Sequence, residues 1–449
     1  MGLPGPARAA GVNAAPSPDL RGRSVWVHVL GCRSNLCEGD FLAGDLEARG
    51  ALVTRDPEGC SAAVIVSCSV TAEADRKCRQ AVRRARRTVG EAGVVAVCGC
   101  WAQGAAADEA RELGADILVG NRRKGELTDA LEAMVRDGRA FRDLRSDLLR
   151  DRRWEELPAT RPVFHTRAFL KVQEGCDHFC SYCVIPFLRG RSTSRPADRA
   201  MDEARRLLDA GCREIVLTGI HLGVYGRDTG SSLAELVRAL SALPGLERLR
   251  LGSLEPFALS DDLLEALGES PVFCPHLHLP LQSGDDGVLS RMRRGYTADD
   301  FARVCARARE RLGADLHISS DILVGFPGED ESAFGNTLRL MRRAGIGRAH
   351  VFPYSPRRGT PAASFEGRVD PTALSARAAE AAALGNELLD AYAARFVGRT
   401  LPVLPEGGRC SGYTPHFLPA AWEGGAEVGR SVRLRIDSAS GGELRGCPV

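Results

Sequence analysis

Three cysteines stand within eight residues in EGCDHFCSYCVIPFLRG, residues 174–190, at Cys176, Cys180 and Cys183. Thiolates are metal ligands, so C-x3-C-x2-C asks what it holds. Positions i, i+4 and i+7 also share one face of a helix, where three small side chains would simply be buried. Gly175 before the first thiol, an apolar strand pattern upstream, and Pro186 and Gly190 downstream favour a loop. Zinc would ask for a fourth ligand, and His178 is the one nearby. A four-iron, four-sulfur cube held by three thiolates leaves one iron open to a substrate or cofactor.

The chain has 449 residues, 44% of them hydrophobic, and a net charge of +2. That length suggests about three domains, and so small a charge means that any nucleic-acid partner must meet local basic patches. Fifteen cysteines is an odd number, and MGLPGPARAAGVNAAPSPDL has no apolar core of a signal peptide. No apolar run approaches membrane-spanning length. The expectation is a reduced, cytoplasmic protein that uses thiols for metal, with no membrane association. Every basic residue except Lys77, Lys124 and Lys171 is arginine, so arginine runs carry little information by themselves.

The elements that must position these thiols follow from hydrophobic periodicity. Residues 1–23 are rich in Ala, Pro and Gly and predict a disordered tail. From residue 24 to 145, VWVHVL, AAVIVS and GVVAVCG alternate with helical patterns, which predicts a parallel-sheet α/β domain. Residues 146–162 are polar and charged and read as a linker. AFLKVQ, EIVLTG, LRLGSL, HLHLPL, LHISSDILVGF and RAHVFPYS alternate with helices, predicting a partial (β/α)6 barrel, with a following helix, over residues 163–396. The cysteine cluster follows the first of these strands and so falls at the barrel mouth. Residues 397–449 read as a small β-barrel. The fold class is α/β throughout, apart from that last barrel.

Tyr182 before the last cysteine, and the longer strings RAFLKVQEGCDHFCSYCVIPFLRG, EIVLTGIHLG, HLHLPLQSG, DILVGFPGE and HVFPYSPRRGTPA, resemble the methylthiotransferase branch of the radical-SAM superfamily. The resemblance runs from Ser24 over nearly the whole chain. It implies two 4Fe-4S clusters, S-adenosylmethionine, an external electron donor, and attachment of a methylthio group to tRNA adenosine or to a ribosomal protein. It further implies that one S-adenosylmethionine methylates sulfur and that a second is cleaved to a 5′-deoxyadenosyl radical, which takes hydrogen from C2 of the base. The second cluster's ligands match Cys32 in LGCRSN, Cys68 in VSCSVT and Cys100 in CGCWAQ. Each follows an apolar strand, so a parallel sheet would bring them to one edge. Cys98 competes with Cys100 on spacing; the match to the family favours Cys100. The other cysteines read as small buried or incidental residues.

For the cofactor the resemblance points to Tyr182, Thr218, Gly219, Glu255, Gln282, Ser283, Asp321, Gly325 and Pro327, most of them at strand ends. His221, His276 and His278 read as hydrogen-bonded structural groups. The C-terminal module resembles a short TRAM-like RNA-binding barrel, with Tyr413 as a stacking surface and Arg191 and Arg195 on the tRNA path; the plainer reading of Tyr413 is core. GIHLG, SVTAEAD and HVFPYSPRRGTPA look closer to the branch acting on N6-threonylcarbamoyladenosine beside the anticodon than to the isopentenyladenosine branch. A rival of another class is a non-catalytic iron–sulfur or zinc protein that binds RNA. Oligomeric state, sulfur donor and reductant leave no trace in the sequence.

Overall fold

The computed structural model describes residues 19–138, 140–406, 410–425, 427 and 429–449. Of the expected disordered tail, residues 1–18 lie outside the described residues, and the rest of the expectation is corrected. Leu20 is fully buried in the first domain's core, and Gly22 N donates to Gly50 O at 2.9 Å. An apolar leucine with a niche beneath the sheet outweighs the polar residues around it.

The N-terminal sheet is β1 (Ser24–Val29), β2 (Leu52–Thr54), β3 (Ala62–Ser67), β4 (Val94–Gly99), β5 (Ile117–Val119) and β6 (Arg142–Asp143). Its strands are parallel, in the order β2-β1-β3-β4-β5-β6. Alternate residues feed two cores, with Ala63, Ile65, Val95 and Val97 on one face and Ala62, Val64, Val66 and Ala96 on the other. Helix Ala72–Val89 covers the first face, and helices Arg33–Ala48 and Leu127–Asp137 cover the second. Burial on both faces explains the unbroken apolar runs. Because β1, β3 and β4 are neighbours, the residues just past their carboxyl ends share one edge.

Six parallel strands build the central unit. β7 (Ala168–Lys171) leads into the hairpin of β8 (Gln173–Glu174) and β9 (Thr193–Ser194), followed by β10 (Glu214–Thr218), β11 (Arg248–Leu251), β12 (His276–His278), β13 (His317–Val324) and β14 (Arg348–Pro353). The sheets β7-β10-β11 and β12-β13-β14 are joined through the Leu249–Phe273 and Ser253–His278 bridges into an open six-stranded barrel. The β8–β9 pair clamps the base of the cysteine loop. The expected linker is coil but pinned on both sides. Glu155 accepts from Gly125 N at 2.9 Å, Glu156 pairs with Arg195, and Leu148 and Leu157 are buried.

Helix Pro371–Ala394 lies against β14 and ends in the C-terminal core through Leu389, Tyr392 and Ala393. There β15 (Thr400–Pro405), β16 (Ser411–Tyr413), β17 (Pro419–Trp422), β18 (Val432–Ser440) and β19 (Glu443–Pro448) close into a barrel, β15-β16-β17-β19-β18. Closure leaves no free edge on a module too small to protect one otherwise.

Candidate functional site

Cys32, Cys68 and Cys100 follow β1, β3 and β4, and all three line one cavity of about 670 Å³. Local backbone makes this possible. Gly31, at φ +95°, lets the chain turn beside Cys68, where an added Cβ would sit 2.6 Å from the Cys68 sulfur. Gly99, at φ +97°, ends β4 and starts helix Cys100–Gly104. That turn separates the two rivals: Cys98 points into the apolar core under the sheet, and Cys100 faces the cavity.

The cavity's far wall is the barrel mouth: Thr218, Gly219, Ile220, Ser253, His278, Asp321, His350 and Phe352. It is therefore a chamber between the N-terminal sheet edge and the barrel. Arg189 seals one side, fully buried at the end of the short helix Ile185–Arg189. Its Nε donates to Cys100 Sγ at 3.2 Å, and its other nitrogens donate to Asn35 Oδ1 at 2.5 Å, Glu38 Oε1 at 2.7 Å and Glu174 Oε2 at 3.0 Å. Lys124 and Lys171 close the network onto Glu38 at 3.2 and 2.8 Å, and Lys171 also pairs with Glu174. Burial alone would raise the Glu38 carboxyl; Arg189, Lys124 and Lys171 hold it well below the ordinary range instead. Asn121 Nδ2 adds a donor to Cys100 Sγ at 3.4 Å.

Cys176, Cys180 and Cys183 lie in a loop of turns, not on a helix face. His178 N donates to Cys176 Sγ at 3.4 Å. Arg294 donates to Cys180 Sγ at 3.3 Å and to Tyr182 Oη at 3.5 Å, and it pairs with Glu255. N–H groups aimed at sulfur are what a thiolate-held cluster needs. Among the described residues no three His, Cys, Asp or Glu side chains close on a single ion. A zinc ion about 2.3 Å from each sulfur would draw three of them to within about 4 Å of one another. His178, the fourth ligand a zinc site would want, meets the Arg293 carbonyl at 2.8 Å through Nε2 and is also hydrogen-bonded to Cys180. Burial pushes the Cys68 and Cys176 thiols up to about 11 and Cys183 up to about 12, so loading with iron must release protons.

Of the residues expected at the cofactor, Thr218, Gly219 and Asp321 line the chamber, and Tyr182 and Glu255 gather at Arg294 beside Cys180. Gln282 takes a left-handed turn, φ +67°, with its N–H on Asp321 O at 2.8 Å. Gly325 and Pro327 are buried around Phe326, whose ring lies 6.3 Å from Tyr182. Three expectations are corrected. Ser283 is fully buried, and its hydroxyl accepts from Asp285 N at 3.2 Å, facing away from the mouth into helix packing. Arg195 is buried between Glu156 and Glu203, leaving no face for tRNA. Tyr413 stacks on Phe417 at 4.9 Å beneath Arg167, and Arg248 holds its carbonyl at 2.7 Å, so it plugs the barrel's lower end. Arg191 remains half-buried, paired with Asp177.

The barrel histidines divide: His221 Nδ1 lies 3.7 Å from Cys176 Sγ at the thiol loop, and His276, His278 and His317 are hydrogen-bonded to neighbouring protein groups. Burial lowers His276 and His317, which bond Ser319 Oγ at 2.8 Å and His416 O at 2.6 Å. His278 is the exception in placement: it faces the chamber, 3.2 Å from Asp321. Sequence reading missed Arg189, Arg294 and the Glu38 network. One signal was available. In a chain that uses arginine almost everywhere, two of the three lysines, Lys124 and Lys171, sit buried on the same glutamate.

Residues 170–341 match the Radical SAM superfamily, and residues 24–120 match the uncharacterized protein family UPF0004. The chain is 35% identical, over 92% of its length and 93% of the relative's, to the threonylcarbamoyladenosine tRNA methylthiotransferase MtaB of Bacillus subtilis. It is 36% identical, over 94% of its length and 98% of the relative's, to the tRNA-2-methylthio-N(6)-dimethylallyladenosine synthase of Cereibacter sphaeroides. Among solved structures, the radical S-adenosylmethionine methyltransferase TsrM of Kitasatospora setae shares the fold, with a TM-score of 0.56 at 15% identity over 76% of this chain and 74% of that one.

Proposed function

The chain belongs to the radical-SAM tRNA methylthiotransferase family, and from that premise we propose that it methylthiolates C2 of N6-threonylcarbamoyladenosine beside the anticodon of tRNA. It does so in the cytoplasm, with electrons from an external donor. Cys176, Cys180 and Cys183 would hold one cluster and Cys32, Cys68 and Cys100 the other; bound there, these groups would supply the electron for cleaving S-adenosylmethionine and a seat for the transferred sulfur.

The chain's own residues do the rest. Arg294 donates to Cys180 Sγ inside the barrel, and Arg189, at the end of the barrel's thiol loop, donates to Cys100 Sγ and so ties the N-terminal trio to the barrel. Asp321, held below the usual carboxylate range because the His278 hydrogen bond overcomes its burial, presents an acceptor to hydroxyl groups in the chamber. Leu36, Val70, Ile185, Ile220 and Phe352 give the chamber an apolar lining against which a base can pack.

The observation that carries this reading is the chamber itself, with the three N-terminal thiols on one wall and the strand-end residues Thr218, Gly219 and Asp321 on the other. Its polar lining, Arg33, Asp321, His278 and His350, supports a base with a polar substituent over one with a prenyl chain. Mass spectrometry of tRNA nucleosides from a strain lacking the gene tests it. The 2-methylthio form of threonylcarbamoyladenosine should vanish while that of isopentenyladenosine persists. The reverse pattern would overturn the substrate, and an unchanged tRNA profile would overturn the proposal for RNA altogether.

A further inference from the structure

We propose that Arg33 recognises the carboxylate of the threonylcarbamoyl substituent and so selects the base that this enzyme accepts. The inference rests on the chamber being the substrate pocket, as proposed above. Arg33 opens helix Arg33–Ala48 directly after Cys32 and lines the chamber. Among the described residues its side chain has no hydrogen bond and no ion pair. Its guanidinium lies over the face of Phe417, 5.7 Å away, within the fields of Arg167, Arg250 and Asp321.

The other cationic groups around it are matched. Arg189 is bound to Glu38 and Glu174. Behind the chamber, Arg250 and Arg167 face Glu214 at 3.0 and 3.9 Å. Asp321, the acid on the opposite wall, is engaged by His278 at 3.2 Å. His350 is kept neutral by burial. A guanidinium set in a partly enclosed space beside Arg167 and Arg250, with no hydrogen-bonded anion and with Asp321 already engaged by His278, pays desolvation that a ligand's anion can return.

The two substrates named for the relatives differ in this one respect. Threonine joined through its amine to the N6 carbonyl keeps a free carboxylate, whereas a dimethylallyl group is neutral and apolar. A guanidinium fork grips a carboxylate with two parallel hydrogen bonds. Opposite a prenyl group the same fork would be desolvated and unpaired, so Arg33 both attracts one base and rejects the other.

The test uses the anaerobically reconstituted holoenzyme and three anticodon stem-loop RNAs that carry threonylcarbamoyladenosine, isopentenyladenosine or plain adenosine. The unmutated enzyme should bind the first at least about tenfold more tightly than the third. Arg33→Gln should erase that difference while leaving iron content and affinity for the plain loop unchanged, and Arg33→Lys should keep part of it. As a check free of mutation, methyl-esterifying the threonyl carboxylate should weaken binding to the unmutated enzyme by the same factor. Equal weakening of all three RNAs by Arg33→Gln would mean a backbone phosphate contact and would overturn the proposal. So would undiminished discrimination, or indifference to the ester. Preference of the unmutated enzyme for the isopentenyl loop would instead overturn the substrate reading, and it is visible before any variant is made.

Discussion

Arg189 Nε donates to Cys100 Sγ at 3.2 Å. The arginine stands six residues beyond Cys183 at the end of the barrel's thiol loop, and the cysteine belongs to the N-terminal sheet edge. One side chain thus links the two trios. Its other donors fall on Asn35, Glu38 and Glu174, so its position is fixed by partners from both domains.

Arg189→Met should therefore cost stability even without iron. It strips Glu38 and Glu174 of their shared partner in a fully buried site, for which a loss of about 3–5 kcal/mol is expected. Urea denaturation of the cluster-free chain measures it. Arg189→Lys keeps the charge but not the fork and should recover only part. A loss for Arg189→Met below about 1 kcal/mol would show that Lys124 and Lys171 suffice for both acids.

Separate trios predict separable defects. Cys180→Ala should abolish 5′-deoxyadenosine formation. Cys68→Ala should spare some of it while stopping methylthiolation, with bound iron falling from about eight to about four per chain in either case. Chromatography of the nucleoside products and iron counting read both. Methylthiolation retained in both variants would remove the two-site assignment.

The strands were legible because burial on both faces writes unbroken apolar runs, as in AAVIVS for β3 and GVVAVCG for β4. Cys32, Cys68 and Cys100 were singled out by the resemblance to the family, and each stands just past such a run. The residues around the sulfurs were not. Glu38, Lys124, Lys171 with Glu174, and Arg189 come from four separate stretches, and the network is complete only once two domains meet. Phe417 illustrates a second limit. Its loop resembled an RNA surface, yet it lies under the barrel, 4.8 Å from the Arg250 guanidinium, because an aromatic ring serves either purpose equally well.

Arg294 is the barrel's counterpart to Arg189, joined to Cys180, Tyr182, Tyr296 and Glu255. Arg294→Gln should lower deoxyadenosine formation about 10–100-fold, the usual effect of losing a partner one step from a metal ligand. The N-terminal trio lies on the other domain, so at least about four irons per chain should survive, with the barrel's share retained in proportion to the remaining activity. Loss of all iron would mean that the variant disturbs the fold as a whole.

Asp40 predicts how stability depends on pH. It is buried, and its Oδ1 accepts from Val163 N at 2.8 Å and Phe164 N at 3.2 Å, tying helix Arg33–Ala48 to the segment that enters the barrel. Burial raises its carboxyl to about 6, against 3.8 for a free aspartate, because two backbone donors do not replace lost water. The folded chain therefore binds this proton more tightly than the unfolded one. Stability from this group is fully present below about pH 4 and declines as the pH rises to about 6, by roughly 3 kcal/mol in total. Asp40→Asn keeps the acceptor and removes the charge, so it should stabilise the chain at pH 7 and leave it unchanged at pH 4. Thermal melts across that range decide the matter: a variant less stable at pH 7 would mean that the ionised carboxylate, and not its oxygen alone, holds the segment.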